Sequence, residues 1–371
     1  MDFNERPFLV IWETTHACDL ACVHCRAQAV PERDPEELSY SEGLKLVLDV
    51  KKMGTPILVF SGGDPLKRAD LGKLVYYAKS LGLRTGAIPA VTPLLTNERI
   101  LELKTCGLDQ IAFSLDAATP AEHDEFRRVP GVFDRTMEAV AYANEIGLHV
   151  QINSLVNIHN LEKLDELIRL IKDLNIVFWE VFFLVPVGRG KELALLTASK
   201  FEEAFEKIYQ LNLKSPFVIK VTEAPHYRRF YFEKEMEKQG LDRSDVVKLS
   251  SKLPSFMVSE HGKGGGIGHS SKSVNAGKGF VFVSYRGDVF PSGFLPVQAG
   301  NIRSQELPDI YRNAPVLREL RDTSLLKGKC GICVYKEMCG GSRSRAYAVT
   351  GDYLAEEPSC AYEPANDTAR I

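Results

Sequence analysis

Three cysteines near the start of the chain, Cys18, Cys22 and Cys25, are spaced C-x3-C-x2-C within WETTHACDLACVHCRAQA. Three thiolates this close on one loop can ligate three irons of a [4Fe–4S] cube, leaving the fourth iron without a protein ligand. An iron left open can take a small molecule, as catalytic zinc sites keep one position free. The rival chemistry is a structural zinc, closed by His16 or His24, or three unrelated buried thiols. The spacing favours the open cluster.

A second set, Cys330, Cys333, Cys339 and Cys360, lies near the other end in CGICVYKEMC and GGSRSRAYAVTGDYLAEEPSC. Four thiolates in one compact segment can close a cluster or a structural zinc. The eighth cysteine, Cys106, stands alone in a helical pattern and reads as a core thiol. Between the two sets, Ser61–Gly62–Gly63–Asp64–Pro65 follows an apolar run. Glycines there admit close approach of a ligand, and free amides or an acid can hold an ammonium, although a plain βα turn would look the same. In Ala224–Arg229, two adjacent arginines follow a histidine and a tyrosine. Such a group can grip carboxylates bidentately, or it is the exposed basic start of a helix.

The elements that must position these residues alternate. Strand-like runs at Phe8–Glu13, Ile57–Phe60, Thr85–Ile88, Gln110–Asp116, Val150–Val156 and Trp179–Val185 are separated by amphipathic stretches at Ser41–Met53, Asp70–Leu81, Asn97–Cys106, Phe133–Ile146 and Leu161–Leu174. This pattern predicts parallel βα units with right-handed crossovers. In barrels built of such units the active site forms at the carboxyl ends of the strands, where the first cysteine loop would fall. Residues 191–260 read as charged and helical, interrupted by FVIKVTEAPHYRRFYF. The segment HGKGGGIGHSSKSVNAGKG lacks phosphate-loop spacing and reads as a connector or lid. GFVFVSYRGDVFPSGF predicts a strand pair turning at Arg286–Gly287–Asp288.

At 371 residues the chain can bury one large core and a smaller module. A net charge of −3 gives no basic field for nucleic acid. No apolar run approaches the ~20 residues of a membrane span, and no basic segment leads into an apolar one as in a signal peptide. Cysteines clustered three, one and four, without an export signal, read as metal ligands in a cytoplasmic protein.

The cysteine motif, with His24 in its aromatic place, resembles the signature of the radical S-adenosylmethionine (SAM) superfamily. The resemblance implies a partial (β/α)6 TIM-type barrel of α/β class. It also implies a cluster whose open iron chelates SAM and cleaves it to a 5′-deoxyadenosyl radical. It places Gly62, Gly63 and Asp64 at the SAM amino group, Ser114 and Asp116 at the ribose, Arg127 at the carboxylate, and Gln151, Asn153 and Leu184 nearby. The cysteine-rich end resembles the SPASM module. Ser292 and Ser342–Arg343 stand where related proteins carry further cysteines, so one auxiliary [4Fe–4S] cluster is expected. The implied division is barrel (1–190), helical and loop connector with substrate region (191–279), and SPASM-like module (280–371).

More narrowly, EFRRVPGVFDRT, VFFLVPVGRGKEL and PHYRR resemble the alternative haem-biosynthesis enzymes, which oxidatively decarboxylate two propionates of iron-coproporphyrin III. PSGFLP and GGDPLKR resemble a neighbouring radical SAM/SPASM group whose substrate is unassigned. The expected substrate is thus a small molecule, an iron porphyrin, with His226, Tyr227, Arg228 and Arg229 binding it and ferredoxin or flavodoxin as reductant. The alternatives are a peptide-modifying maturase or a non-enzymatic iron–sulfur electron carrier. Cys18 leaves little room for the peptide-recognition domain that maturases carry before the barrel, and a carrier has no use for the GGDP and SLD segments.

Overall fold

The computed structural model describes residues 1–241 and 273–364. Ten strands form one sheet. In chain order they are β1 (Leu9–Glu13), β2 (Ile57–Ser61), β3 (Arg84–Ala87), β4 (Gln110–Ser114), β5 (His149–Val156), β6 (Phe178–Phe183), β7 (Val218–Thr222), β8 (Phe280–Val283), β9 (Asp288–Phe290) and β10 (Gly300–Asn301). Their spatial order is β10-β9-β8-β1-β2-β3-β4-β5-β6-β7. β1 to β7 pair in parallel with their sequence neighbours, and β8 joins in parallel on the far side of β1, with Leu9 opposite Phe280. The six predicted strands are all present, with ends shifted by one to two residues. The sheet then continues past residue 190 through β7 and past residue 279 through β8.

Helices α1 (Tyr40–Lys52), α2 (Leu71–Ser80), α3 (Asn97–Thr105), α4 (Pro120–Arg127), α5 (Val132–Glu145) and α6 (Leu164–Lys172) fill the crossovers. Each form follows from its sequence. In α6, Leu164, Leu167, Ile168 and Ile171 are buried at i, i+3, i+4 and i+7, the single apolar stripe that a helix packed on a sheet needs. Ser39 and Glu42 make a reciprocal capping box at the start of α1, satisfying amide donors that the first turn leaves over. Cys106 caps α3 and is half-buried.

β7 is followed by α8 (Tyr227–Lys238), so the apolar and basic run is a strand and a helix start separated by Glu223–His226. Helix α7 (Ala198–Asn212) packs beside α8. The expected hairpin forms: β8 and β9 are antiparallel, and Gly287 turns between them at φ +85°, a conformation that favours glycine. Of the glycine-rich connector, 261–272 lies outside the described residues. The last part of the chain forms α9 (Leu307–Asn313), α10 (Pro315–Arg321), α11 (Gly328–Ile332) and α12 (Arg343–Thr350). Among the described residues no helix is long and apolar enough to cross a membrane.

The sheet curls. Alternate residues from β1 through β8, from Leu9 and Ile57 to Lys220 and Phe280, line one cavity of about 360 Å³. This open lumen is where the chemistry-bearing residues must be sought.

Candidate active site

The loop after β1 carries the first cysteine set to the carboxyl end of the strands. Cys18 and Cys22 are buried, Cys25 is half-buried, and all three line the cavity. Main-chain contacts hold the loop from two sides. On one side the amides of Gly63 and Asp64 donate to the carbonyls of Thr15 (2.8 Å) and Ala17 (2.6 Å). A Cβ at Gly63 would lie 2.4 Å from the Ala17 oxygen, so only glycine admits this approach. On the other side, Arg189 donates from its amide to Cys25 O (3.0 Å) and from Nε to Cys22 O (2.8 Å). A Cβ on Gly188, at φ +55°, would come within 2.3 Å of Arg26 O. The Val187–Glu192 strap after β6 therefore clamps the loop. Sequence reasoning quoted VGRGKEL without giving it this part; its signal was a Gly-Arg-Gly run at a strand end.

Gly62 and Gly63 face the cavity, but the Asp64 carboxylate does not line it. It accepts from Thr92 Oγ1 (2.8 Å), Leu66 N (3.1 Å) and Ala90 N (3.3 Å), and so braces the segments after β2 and β3. Burial pushes its pKa up despite these donors.

Ser114 is the last residue of β4 and Asp116 lies two residues beyond it, and both reach the cavity. Asp116 accepts from Arg127 Nη2 and, at 2.8 Å, from Leu155 N. Burial alone would raise its pKa, but Arg127 foremost, then His24 and His123, hold it below the ordinary carboxylate range. Arg127 also points Nη1 at Cys22 Sγ, 3.6 Å away, so one guanidinium spans the acid and the cysteine loop. His24 stacks on Phe126, 4.6 Å between centroids, and burial drives its pKa down to about 3. Gln151 and Asn153 on β5 and Leu184 after β6 complete the same wall.

Of the four expected substrate residues, Arg228 alone lines this cavity. It donates to Met338 O (3.1 Å) and Val274 O (2.6 Å), and among the described residues no carboxylate pairs with it. Arg229 points away from it, ion-paired to Glu202 and Glu233. His226 is wedged between Phe201 and Phe205, and among the described residues neither ring nitrogen has a hydrogen-bond partner. Tyr227 is buried against Phe205 and Phe230, its hydroxyl unpartnered. The backbone explains the split: successive helix residues diverge by about 100°.

Cys330, Cys333, Cys339 and Cys360 surround a second, small cavity. Main-chain amides point at three of the sulfurs: Glu357 N to Cys330 (3.3 Å), Tyr335 N to Cys333 (3.4 Å) and Gly341 N to Cys339 (3.4 Å). Ser292 and Ser342 instead donate to a carboxylate that sequence reasoning missed, that of Glu223, which Ser344 also bonds. Glu223 has φ +58°, unusual for a side chain of this size, and lines the main cavity. Fully buried Arg345 fixes that bend by donating to Glu223 O (2.6 Å) and Leu184 O (3.1 Å) while paired with Glu357. No sequence signal announces Glu223; only the serines that bond it drew notice.

A family model described as the radical SAM superfamily matches residues 12–173, the span from the cysteine loop through α6. The "AdoMet-dependent heme synthase" of Methanosarcina barkeri is 40% identical over 358 residues, 96% of this chain and 97% of that protein. The chain belongs to the radical SAM superfamily. A second "AdoMet-dependent heme synthase", from Oleidesulfovibrio alaskensis, is 36% identical over 96% of this chain and 87% of its own. The fold is that of Streptococcus suis SuiB bound to S-adenosylmethionine, with TM-score 0.71 and 16% identity over 96% of this chain and 78% of that one.

Radical SAM enzymes use a [4Fe–4S] cluster and SAM, and the residues around the first cysteine set fit such groups. Three thiols share one cavity wall with the Gly62–Gly63 main chain and the Arg127 guanidinium. His24 Nδ1 on the loop and Arg127 Nε and Arg189 Nη2 beside it are buried with no partner among the described residues. Among the described residues no three His, Cys, Asp or Glu side chains are grouped to hold one metal ion. Thiolates around a single zinc at Zn–S of about 2.3 Å must converge tightly, whereas a cube spreads its ligands over several irons.

Proposed function

We propose that this radical SAM enzyme oxidatively decarboxylates propionate side chains of iron-coproporphyrin III. The observation that carries the reading is 40% identity, along nearly the whole of both chains, with a protein named AdoMet-dependent heme synthase. Cys18, Cys22 and Cys25 would hold the SAM-binding cluster, and Cys330, Cys333, Cys339 and Cys360 one auxiliary cluster. Bound at the first site, cluster and SAM supply a hydrogen-abstracting 5′-deoxyadenosyl radical; the protein's part is orientation and exclusion of water.

That part is carried by named groups. The main chain of Gly62 and Gly63, with Ser114, Asp116, Arg127, Gln151, Asn153 and Leu184, would position SAM beside the cysteine loop, and His24 packs behind it. Asp64 acts one step removed, by fixing the turn that presents the two glycines. Arg228 offers a substrate carboxylate a charge-assisted partner that, among the described residues, no carboxylate already occupies. Each propionate would become a vinyl by losing one β-hydrogen atom, one carbon dioxide and one electron, which the auxiliary cluster would accept. His226, Tyr227 and Arg229 support the module behind Arg228. Ferredoxin or flavodoxin would supply the reducing electron in the cytoplasm. The division into barrel, connector and SPASM-like module is a functional one, because β7 and β8 tie all three into one sheet.

The test is anaerobic reconstitution with SAM, dithionite and iron-coproporphyrin III, followed by mass spectrometry. Loss of one and two carbon dioxide units, with matching 5′-deoxyadenosine, is the expected result. SAM cleavage without any decarboxylated porphyrin would assign the cavity to a different substrate.

A further inference from the structure

The lumen has two unlike walls. Leu9 and Ile11 of β1, Ile57 and Val59 of β2, and Phe280 and Phe282 of β8 make one side mainly apolar, with Arg26, paired to Glu13, over the Phe282 ring at its end. Across from them, β5, β6 and β7 present Gln151, Glu180, Lys220 and Thr222. Closed eight-stranded barrels are filled by branched apolar side chains; this open sheet leaves a lumen, and an ion pair faces it. Charges withdrawn from water are costly unless well paired.

The pair is lopsided. Glu180 accepts from Gln151 Nε2 (3.0 Å) and Thr222 Oγ1 (2.6 Å) as well as from Lys220 Nζ (2.9 Å). It would keep two hydrogen bonds if the lysine left. Lys220 brings three donors on a flexible stem, and its side chain is 29% exposed against 13% for Glu180. Lys220 and Thr222 share one face of β7, eight and six residues before Arg228 at the start of α8, and all three line the same cavity.

We propose that Lys220 is a second carboxylate anchor, exchanging Glu180 for substrate. The cavity then selects a flat, mainly apolar molecule with at least two carboxylates, one held at Arg228 and another at Lys220, its face against the β8–β1–β2 wall. This rests on the porphyrin reading above and deepens it. Without such anchors the free acid and its methyl ester would bind alike; with them the ester loses both contacts.

The test uses the reconstituted full chain and absorbance titration with two probes, iron-coproporphyrin III (four carboxylates) and its tetramethyl ester (none). Lys220→Met should weaken the first by about tenfold or more, the value of one charge-assisted contact, and the second by much less. Lys220→Arg should restore most of the loss. Iron content and melting temperature, matched to the parent, serve as the check on folding. If Lys220→Met binds iron-coproporphyrin III as tightly as a parent that decarboxylates it, the anchor is overturned and the function stands. If the parent binds no iron-coproporphyrin III, both are overturned. Loss of iron or of the folded state in both lysine variants would make the pair structural and overturn the anchor alone.

Discussion

Arg127 Nη1 stands 3.6 Å from Cys22 Sγ while the other arm of the same guanidinium holds Asp116. The contact joins two segments over a hundred residues apart, the end of α4 and the cysteine loop. It gives the loop a fixed cation and gives a buried acid its counter-ion.

Arg127→Met therefore leaves Asp116 buried without its cation, a loss of about 3–5 kcal/mol for a broken buried pair. Arg127→Met with Asp116→Asn should recover part of it, since the amide needs no counter-ion. Chemical denaturation of parent, single and double variants reads this directly. Equal stability of all three would mean that the pair carries no weight.

The three cysteines of the first loop should behave as one unit. Replacing all three with alanine should remove about four irons, one cube, and abolish 5′-deoxyadenosine formation. Iron assay and chromatography measure both; SAM cleavage surviving in the triple variant would sink the assignment.

The first six strands were readable because each is a short apolar run between helical patterns. β7 was not. Its lumen face is polar, with Lys220 and Thr222 alternating with Ile219 and Val221, and it runs into the aromatic start of α8 within a few residues. The family resemblance pointed to Gly62, Gly63, Ser114 and Asp116, which line the cavity, but not to the direction of the Asp64 carboxylate, which depends on donors from the segment after β3. Adjacent arginines look alike in sequence, and helix geometry separates them. Glu223 depends on a left-handed backbone bend fixed by Arg345, a contact made 122 residues later.

The second cysteine set should hold one cube and no more, because Ser292 and Ser342 are committed to Glu223. Reconstituted protein should contain about eight irons, and Cys339→Ala should fall to about four. A parent value near twelve would contradict this. Four irons with one tightly held zinc would put zinc at the second site.

Acid should loosen the packing around His226. Burial against Phe201 and Phe205 lowers its pKa from 6.5 to about 3, so the folded chain keeps it neutral while the unfolded chain protonates it. Its contribution is fully present above pH 6.5 and is lost as pH falls from there towards about 3. His226→Phe removes this proton uptake. The drop in melting temperature from about pH 7 to about pH 5 should then be smaller in the variant. An identical drop would show that other groups set the acid limit.

The neighbouring arginines of α8 should separate cleanly by substitution. Arg228 faces the cavity and bonds only carbonyls among the described residues, so Arg228→Ala removes a cation that substrate could use. Iron-coproporphyrin III binding should weaken by about tenfold or more, the worth of a charge-assisted contact, with iron content retained. Arg229 bonds Glu202 and Glu233 and lies over the Tyr362 ring, so Arg229→Ala takes the cation from both carboxylates, of which Glu233 keeps the Tyr335 hydroxyl. That variant should lose stability, by about 3 kcal/mol for a partly buried pair, and auxiliary iron with it. Binding of porphyrin by the Arg229 variant that remains folded should match the parent. The reverse pattern, with Arg229 controlling porphyrin affinity and Arg228 controlling iron, would place the substrate on the other side of the helix and remove Arg228 from the site.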